Sequence, residues 1–380
     1  MRFIHTADWH LGRTVGEWSL IDEQRDFLEK LTNVLTESGA QALVIAGDVY
    51  DRAVPPAEAV ELLDGFLWRV GAQLGVPVLM TAGNHDSPRR LSYGGNFLRG
   101  GGVYVEGVLK KEVETVTLRD EHGEVDFRLL PWVEPAEARA LFPEKAIRGA
   151  NSAFAAVLEE NPVRPGVRSV LVTHGFFADP ARAGEELRRD SETWAGGGEM
   201  IDSALLSDYC YAALGHLHSF QRAGAPNAFY SGTPLKYSAS EAGDEKSVTL
   251  VELAADGSFT RTALPVKPLR DLRRVRGTLA QLLALPRTDD YIYAEVTDEA
   301  VPDMAAKLAD VFPRLVGLRL LSREEEEAAA LLTEAGAAKK TTEELYRDFY
   351  LSLKGEELSG GRLARLREAL AETEREAGER

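Results

Sequence analysis

Phe3-Ile4-His5-Thr6-Ala7-Asp8-Trp9-His10-Leu11-Gly12 decides how this chain folds. The run from Arg2 to Ala7 is short and apolar, reads as a strand, and ends on an aspartate and a histidine two positions apart. In extended backbone, residues at i and i+2 project to one side, so Asp8 and His10 are set to act together. The pattern recurs down the chain. Ala42 to Ala46 runs into Gly47-Asp48, Pro77 to Ala82 into Gly83-Asn84-His85-Asp86, Ser169 to Thr173 into His174-Gly175, and Tyr211 to Leu214 into Gly215-His216-Leu217-His218. Side chains at the ends of such strands converge on one rim of a sheet.

Taken singly, each fragment is a weak signal, since a Gly-Asp after a strand is most often a turn and a lone buried histidine a hydrogen-bonded core residue. Five fragments in order, holding all but His5 and His122 of the 7 histidines, point instead to a pair of divalent metal ions. Such a pair sits roughly 3.5–4 Å apart and needs a bridging carboxylate with flanking ligands. Asp48 is the natural bridge. The expected sets are Asp8, His10 and His218 with Asp48 on the first ion, and Asn84, His174 and His216 with Asp48 on the second. Asp, Asn and imidazole together suit manganese, iron or zinc better than calcium. Glycines at 47, 83, 175 and 215 permit tight turns and close backbone approach beside the ligands. His5, midway along a strand, is expected to be a packed residue, and His122 to lie in an exposed hairpin turn.

The pattern divides the chain into four parts. Residues 1–265 alternate strands with amphipathic helices such as Asp22 to Ser38, whose Phe27, Leu28, Leu31, Val34 and Leu35 form one face. Pro56 to Val70 carries Val60, Leu63, Leu67 and Val70 on one face with Leu62, Phe66 and Trp68 around the rest, which predicts a helix either fully buried or shared with an interface. Residues 266–322 read as a smaller α+β unit: a helix near Leu279 to Leu285, a strand Tyr291 to Val296, a helix Val301 to Phe312 and a strand Leu315 to Leu321. A charged linker, 323–338, leads to a helix-loop-helix tail, 339–380. In the tail a capping box of Thr341 and Glu344 opens a helix bearing Leu345, Tyr346, Phe349, Tyr350 and Leu353.

The order D-x-H, G-D, G-N-H-D, H-G, G-H-x-H resembles the calcineurin-like metallophosphoesterases. The opening block, Gly83-Asn84-His85-Asp86-Ser87 and Tyr230-Ser231-Gly232-Thr233-Pro234 resemble one branch of them, the SbcD nucleases and their meiotic-recombination counterparts. The resemblance implies an α/β fold: a metallophosphoesterase β-sandwich flanked by helices, with a small α+β DNA-capping domain and a C-terminal helical tail. It implies a manganese-dependent DNA phosphodiesterase with two ions per chain, a double-strand exonuclease and single-strand or hairpin endonuclease acting in break repair and hairpin processing. The implied partners are DNA, a coiled-coil ATPase subunit of the SbcC type bound by Leu345, Tyr346, Phe349, Tyr350 and Leu353, and a second copy of the chain meeting it through 56–70 and Phe97-Leu98. The implied location is cytoplasmic and nucleoid-associated.

His85 maps onto the family's non-ligand histidine that contacts the scissile phosphate, and Asp86 or Asp51 could orient its imidazole. Asp51 stands beside it as a catalytic candidate, although archaeal members commonly carry histidine at that position, so no role for a second catalytic histidine transfers. Gly47-Asp48-Val49-Tyr50-Asp51-Arg52 also resembles the G-D-x-x-D-R of phosphoprotein phosphatases, which keeps a phosphoprotein or small-phosphoester phosphatase as the alternative.

Composition bounds the rest. At 380 residues the chain can bury one large core and a smaller second one. No apolar run approaches membrane-spanning length, so no membrane partner is expected. The lone Cys210 precludes an internal disulfide and is expected to be a small buried hydrophobe. A formal net charge of −17 is unusual for a DNA enzyme, which draws phosphate contacts from Lys and Arg. The local basic candidates are Arg13, Arg89, Arg90 and Lys236.

Overall fold

The computed structural model describes residues 1–182 and 200–321, with residues 347, 350, 361–363, 365 and 366 of the tail. Apolar strands joined by amphipathic helices build two six-stranded sheets. The first runs Phe259–Pro265, Ser247–Leu253, Arg2–Thr6, Leu43–Ala46, Val78–Thr81, Val103–Glu106; the second runs Gln221–Arg222, Ala228–Tyr230, Tyr211–Gly215, Arg168–His174, Gly123–Leu130, Glu114–Asp120. The central strands of both are parallel, with Ile4 opposite Leu43, Leu43 opposite Val78, and Tyr211 opposite Val170. Parallel pairing puts their C-terminal ends, where the polar fragments sit, on a common rim.

Strands buried on both faces read as continuous apolar runs, and these do. Phe3, Val44 and Leu79 from the first sheet pack with Phe127, Val170, Val172, Tyr211 and Ala213 from the second. Phe3 meets Phe127 edge-on at 5.3 Å and Tyr211 at 5.8 Å. Cys210 packs at the border of this cluster and is half-buried, because it lies just before the strand rather than within it. The alternate residues Ile4, Leu43, Ile45, Val78 and Met80 are equally buried on the other face of the first sheet. On the outer face of the second, Leu171, Ala212 and Leu214 share a cluster with Phe154 and Val157 of the helix Ala150–Glu160.

The helix Ile21–Glu37 buries Phe27, Leu28, Leu31 and Leu35. Trp9, fully buried, sits edge-on to Phe27 and to Phe66 of the helix Ala57–Leu67, tying both helices to the first ligand loop. The helix expected over 56–70 ends at Leu67 and continues as a wider π-helical turn, Trp68–Gln73. It buries Leu62, Leu63, Phe66, Leu67 and Val70, whereas Val60 and Trp68 face solvent.

The chain divides into two compact units, Met1–Arg273 and Arg274–Arg380. In the second, the strands Tyr291–Val296 and Arg314–Leu320 pair in parallel, and Ile292, Ala294 and Val296 pack on Leu282, Met304, Leu308 and Phe312. The helices there, Leu279–Leu283 and Met304–Val311, are shorter than the sequence pattern suggests: Leu285 and Val301 are exposed, so nothing extends the apolar faces outward. The linker lies outside the described residues, as do Leu345, Tyr346, Phe349 and Leu353. Of the expected partner-binding residues Tyr350 is described, with the Arg362 guanidinium 5.4 Å from its ring centre.

Candidate metal centre

Asp8, His10, Asp48, Asn84, His174, His216 and His218 come from five loops and meet at one place. Asp48 lies between two groups. Its Oδ2 is 3.8 Å from His10 Nε2 on one side and 3.4 Å from His174 Nε2 on the other. On the first side, His10 Nε2 and His218 Nε2 approach to 3.3 Å, and Asp8 completes a trio whose ligating atoms all lie within 4.8 Å. On the second side, Asn84 Oδ1 is 3.0 Å from His174 Nε2 and 3.2 Å from His216 Nδ1. The seven side chains therefore cluster as two groups sharing Asp48.

Backbone conformation brings them there. Asp8, His10, Asp48 and His216 all have positive φ, at 54°, 44°, 48° and 110°; among the described residues Asp303 is the one other non-glycine to do so. Such conformations cost of order 1–3 kcal/mol each and persist where the surroundings enforce them. Gly47 shares this twist at φ 84°, and a side chain there would run into His174. At Gly83 a side chain would occupy the space of the Asp48 carboxylate.

Electrostatics prepare the same atoms. Burial raises the Asp48 carboxyl, but the neighbouring His174 and His10 outweigh it and hold the group ionised, well below the usual carboxylate range. Burial lowers His174, yet the charge of Asp48 overrides it and pushes the imidazole up to about 9. Burial holds His10 and His218 below their ordinary value against the pull of Asp48 and Glu241 respectively, and burial together with His174 brings His216 down to about 3. These three are neutral, the form in which imidazole binds metal. The second nitrogen of His174 is engaged as well. His174 Nδ1 donates to the Ala46 carbonyl at 2.9 Å, which leaves Nε2 as the atom turned toward Asn84 Oδ1 and Asp48 Oδ2, where a metal ion would take the place of its proton.

His85 stands at the edge of this cluster, partly exposed, with Nε2 4.0 Å from Asp48 Oδ2 and its own amide donating to Asp48 Oδ1 at 2.9 Å. Its Nδ1 donates to the backbone carbonyl of Asp51 at 2.9 Å. Of the two candidates for orienting His85, Asp51 does so, through its main chain. Its carboxylate is turned instead to Arg13 at 2.8 Å. Asp86 accepts the amides of Val49, Tyr50 and Gly83, knitting the loop of Asp48 to the loop of Asn84 and His85. His5 is buried, bonded to the Tyr211 hydroxyl at 3.0 Å and the Leu214 carbonyl at 3.2 Å, and His122 sits exposed in the turn between Glu114–Asp120 and Gly123–Leu130.

The four basic candidates part company. Arg13 pairs with Asp51 and lies over the Tyr237 ring, and Lys236 is held by Asp271 at 2.9 Å and by the Ala242 carbonyl. Arg89 and Arg90 are exposed on the short helix Pro88–Leu91, immediately after His85.

The sequence reading missed residues that support the ligands. Gln24 donates to the His10 carbonyl at 2.8 Å, the Tyr237 hydroxyl donates to the Trp9 carbonyl, Trp132 lies 5.7 Å from His216, and buried Glu241 faces His218 Nδ1 at 3.4 Å. None adjoins a ligand fragment, so no local pattern marks them.

Residues 1–219 match the family described as calcineurin-like phosphoesterase, and residues 268–354 match the type 5 capsule protein repressor C-terminal domain. The SbcD subunit of the SbcCD nuclease of Staphylococcus saprophyticus is 29% identical over 330 residues, covering 84% of this chain and 84% of that protein. The protein of the same name from Staphylococcus epidermidis is 27% identical over 325 residues, covering 84% and 85%. A solved phosphoesterase from E. coli, Yfce, covers 70% of this chain at 15% identity and a TM-score of 0.26, too slight a likeness to carry the fold. The chain belongs to the calcineurin-like phosphoesterase family.

Proposed function

We propose that the chain is a two-metal DNA nuclease, cleaving double-stranded ends and single-stranded or hairpin DNA together with an SbcC-type ATPase. The observation that carries this reading is the pair of ligand groups sharing Asp48, with His85 poised beside them, in a chain whose relatives are SbcD nucleases. Asp8, His10, Asp48 and His218 would hold the first ion, and Asp48, Asn84, His174 and His216 the second; the mixed donor set suits manganese, iron or zinc, and of these manganese is the ion the family resemblance implies. Bound there, two such ions would supply Lewis acidity to a phosphodiester and an activated water.

The chain's own part is orientation and proton transfer. Asp48 keeps the two ligand groups in register through one carboxylate. His85, with Nδ1 committed to the Asp51 carbonyl, can present only Nε2 to a substrate, where it offers a proton to the departing oxygen. Exposed Arg89 and Arg90 are the positions best placed to meet DNA phosphates.

A homodimer through the helix Ala57–Leu67 and the segment around Phe97 draws support from Trp68, Tyr93 and Phe97, which are 63%, 85% and 90% exposed. The proposed grip on the ATPase is that of helices in a groove, made by Leu345, Tyr346, Phe349, Tyr350 and Leu353. The deciding experiment offers the manganese-loaded protein a labelled hairpin DNA, a phosphopeptide and a cyclic nucleotide. Cleavage of DNA alone is expected, and turnover of the phosphopeptide in preference would favour the phosphatase instead.

A further inference from the structure

Behind His218, a carboxylate and an ammonium that are not themselves ligand candidates are buried together. Glu241 is 0% exposed and the side chain of Lys246 is 6% exposed. An isolated buried charge is strongly unfavourable, so a pair this deep must be matched and fully bonded. It is. Glu241 Oε2 accepts from Lys246 Nζ at 2.6 Å and from Thr233 Oγ1 at 3.2 Å, while Oε1 accepts from Ser238 Oγ at 3.1 Å and faces His218 Nδ1 at 3.4 Å. Lys246 Nζ donates as well to the His218 carbonyl at 3.0 Å. His218 is thus fixed at both ends, its ring by the carboxylate and its main chain by the ammonium that holds that carboxylate in place.

His174, in the other ligand group, is oriented by a neutral carbonyl, that of Ala46. A carboxylate makes the far nitrogen of an imidazole a better donor than a carbonyl does, and it fixes the tautomer. We infer that Glu241, clamped by Lys246, is a positioning residue for the first metal site alone: it aims His218 Nε2 at the place where Asp8 and His10 converge, and so sets the affinity of the first ion separately from that of the second. The inference rests on the proposed role of His218 as a ligand.

The test is manganese binding by the full chain, followed by electron paramagnetic resonance and by metal content, with no reliance on nuclease activity. Wild type should take two ions and give a spin-coupled spectrum. In Glu241→Ala the first ion should bind about 10–100-fold more weakly with the second unchanged, so that at limiting manganese an uncoupled single-ion spectrum replaces the coupled one. Glu241→Asp keeps a carboxylate for Lys246 but shortens its reach to His218; it should show the same selective loss and carries the test if the alanine variant does not fold. Equal weakening of both ions, or a lowered Tm with both affinities intact, would mean that Glu241 serves the fold only and would overturn the inference. His218→Ala is the control for the underlying reading. If it too binds both ions at wild-type affinity, the ligand assignment itself fails.

Discussion

The two sheets contribute different chemistry to one site. Loops at the ends of the first sheet carry Asp8, His10, Asp48, Asn84 and His85, which is to say both carboxylates, the amide, one imidazole of the candidate ligand set and the histidine beside it. Loops of the second carry His174, His216 and His218, imidazoles throughout. Three of the four positive-φ candidates, Asp8, His10 and Asp48, belong to the first sheet. The first side spends backbone strain to place negative charge, and the second supplies nitrogen donors whose aim depends on what holds their far nitrogens. Charge and strain at one point predict a concentrated effect when that point is removed.

The largest effect therefore falls on Asp48, which faces both ligand groups. Asp48→Ala should abolish binding of both ions and drop DNA cleavage to background. Metal content per chain, measured beside nicking rate, checks this, and retention of two ions would dissolve the contrast between the sheets. His85 lies on the same sheet but outside the ligand set. His85→Ala should leave both ions in place and slow cleavage about 10²–10⁴-fold, the usual contribution of a positioned general acid. Loss of metal in that variant would move His85 into the ligand shell.

Away from the rim the sheets behave as one body, because Phe3 of the first and Phe127 of the second meet edge-on in an apolar seam. Phe127→Ala should cost about 3–5 kcal/mol of stability through the cavity it leaves, read from denaturant unfolding. Protein that remains folded should still bind both ions. Selective loss of one ion would show that the seam transmits strain to the rim.

How much of this was legible depends on where the information lies. Arg2 to Ala7 and Tyr211 to Leu214 announce themselves because strands buried on both faces leave unbroken apolar runs, and glycine next to a polar residue marks the turn that follows. The candidate ligand set could be read for the same reason: each member lies within a few residues of the end of such a run. Glu241 and Gln24 could not, since their partners His218 and His10 are brought to them by tertiary packing and their sequence neighbours look like those of any solvated polar residue. Charge was legible in sign but not in use. Arg13, Lys236, Arg89 and Arg90 look alike as letters, and only the structure separates the two that are paired within the fold from the two exposed beside His85.

That last distinction carries the smallest expected effect. An arginine already paired to a carboxylate must break that pair to meet a phosphate, whereas an exposed one releases condensed counterions from DNA at little cost. Replacing both Arg89 and Arg90 by Ala should weaken DNA binding modestly and reduce the slope of log affinity against log salt by about 2, at roughly 0.9 for each phosphate no longer neutralised. Hydrolysis of a small chromogenic phosphodiester, which has no backbone to grip, should hardly change. Arg13→Ala should do the reverse, leaving the salt slope intact while loosening Asp51, the residue whose carbonyl orients His85. Equal salt slopes for wild type and the Arg89, Arg90 double variant would return both to ordinary surface charge and place the DNA contacts elsewhere on the chain.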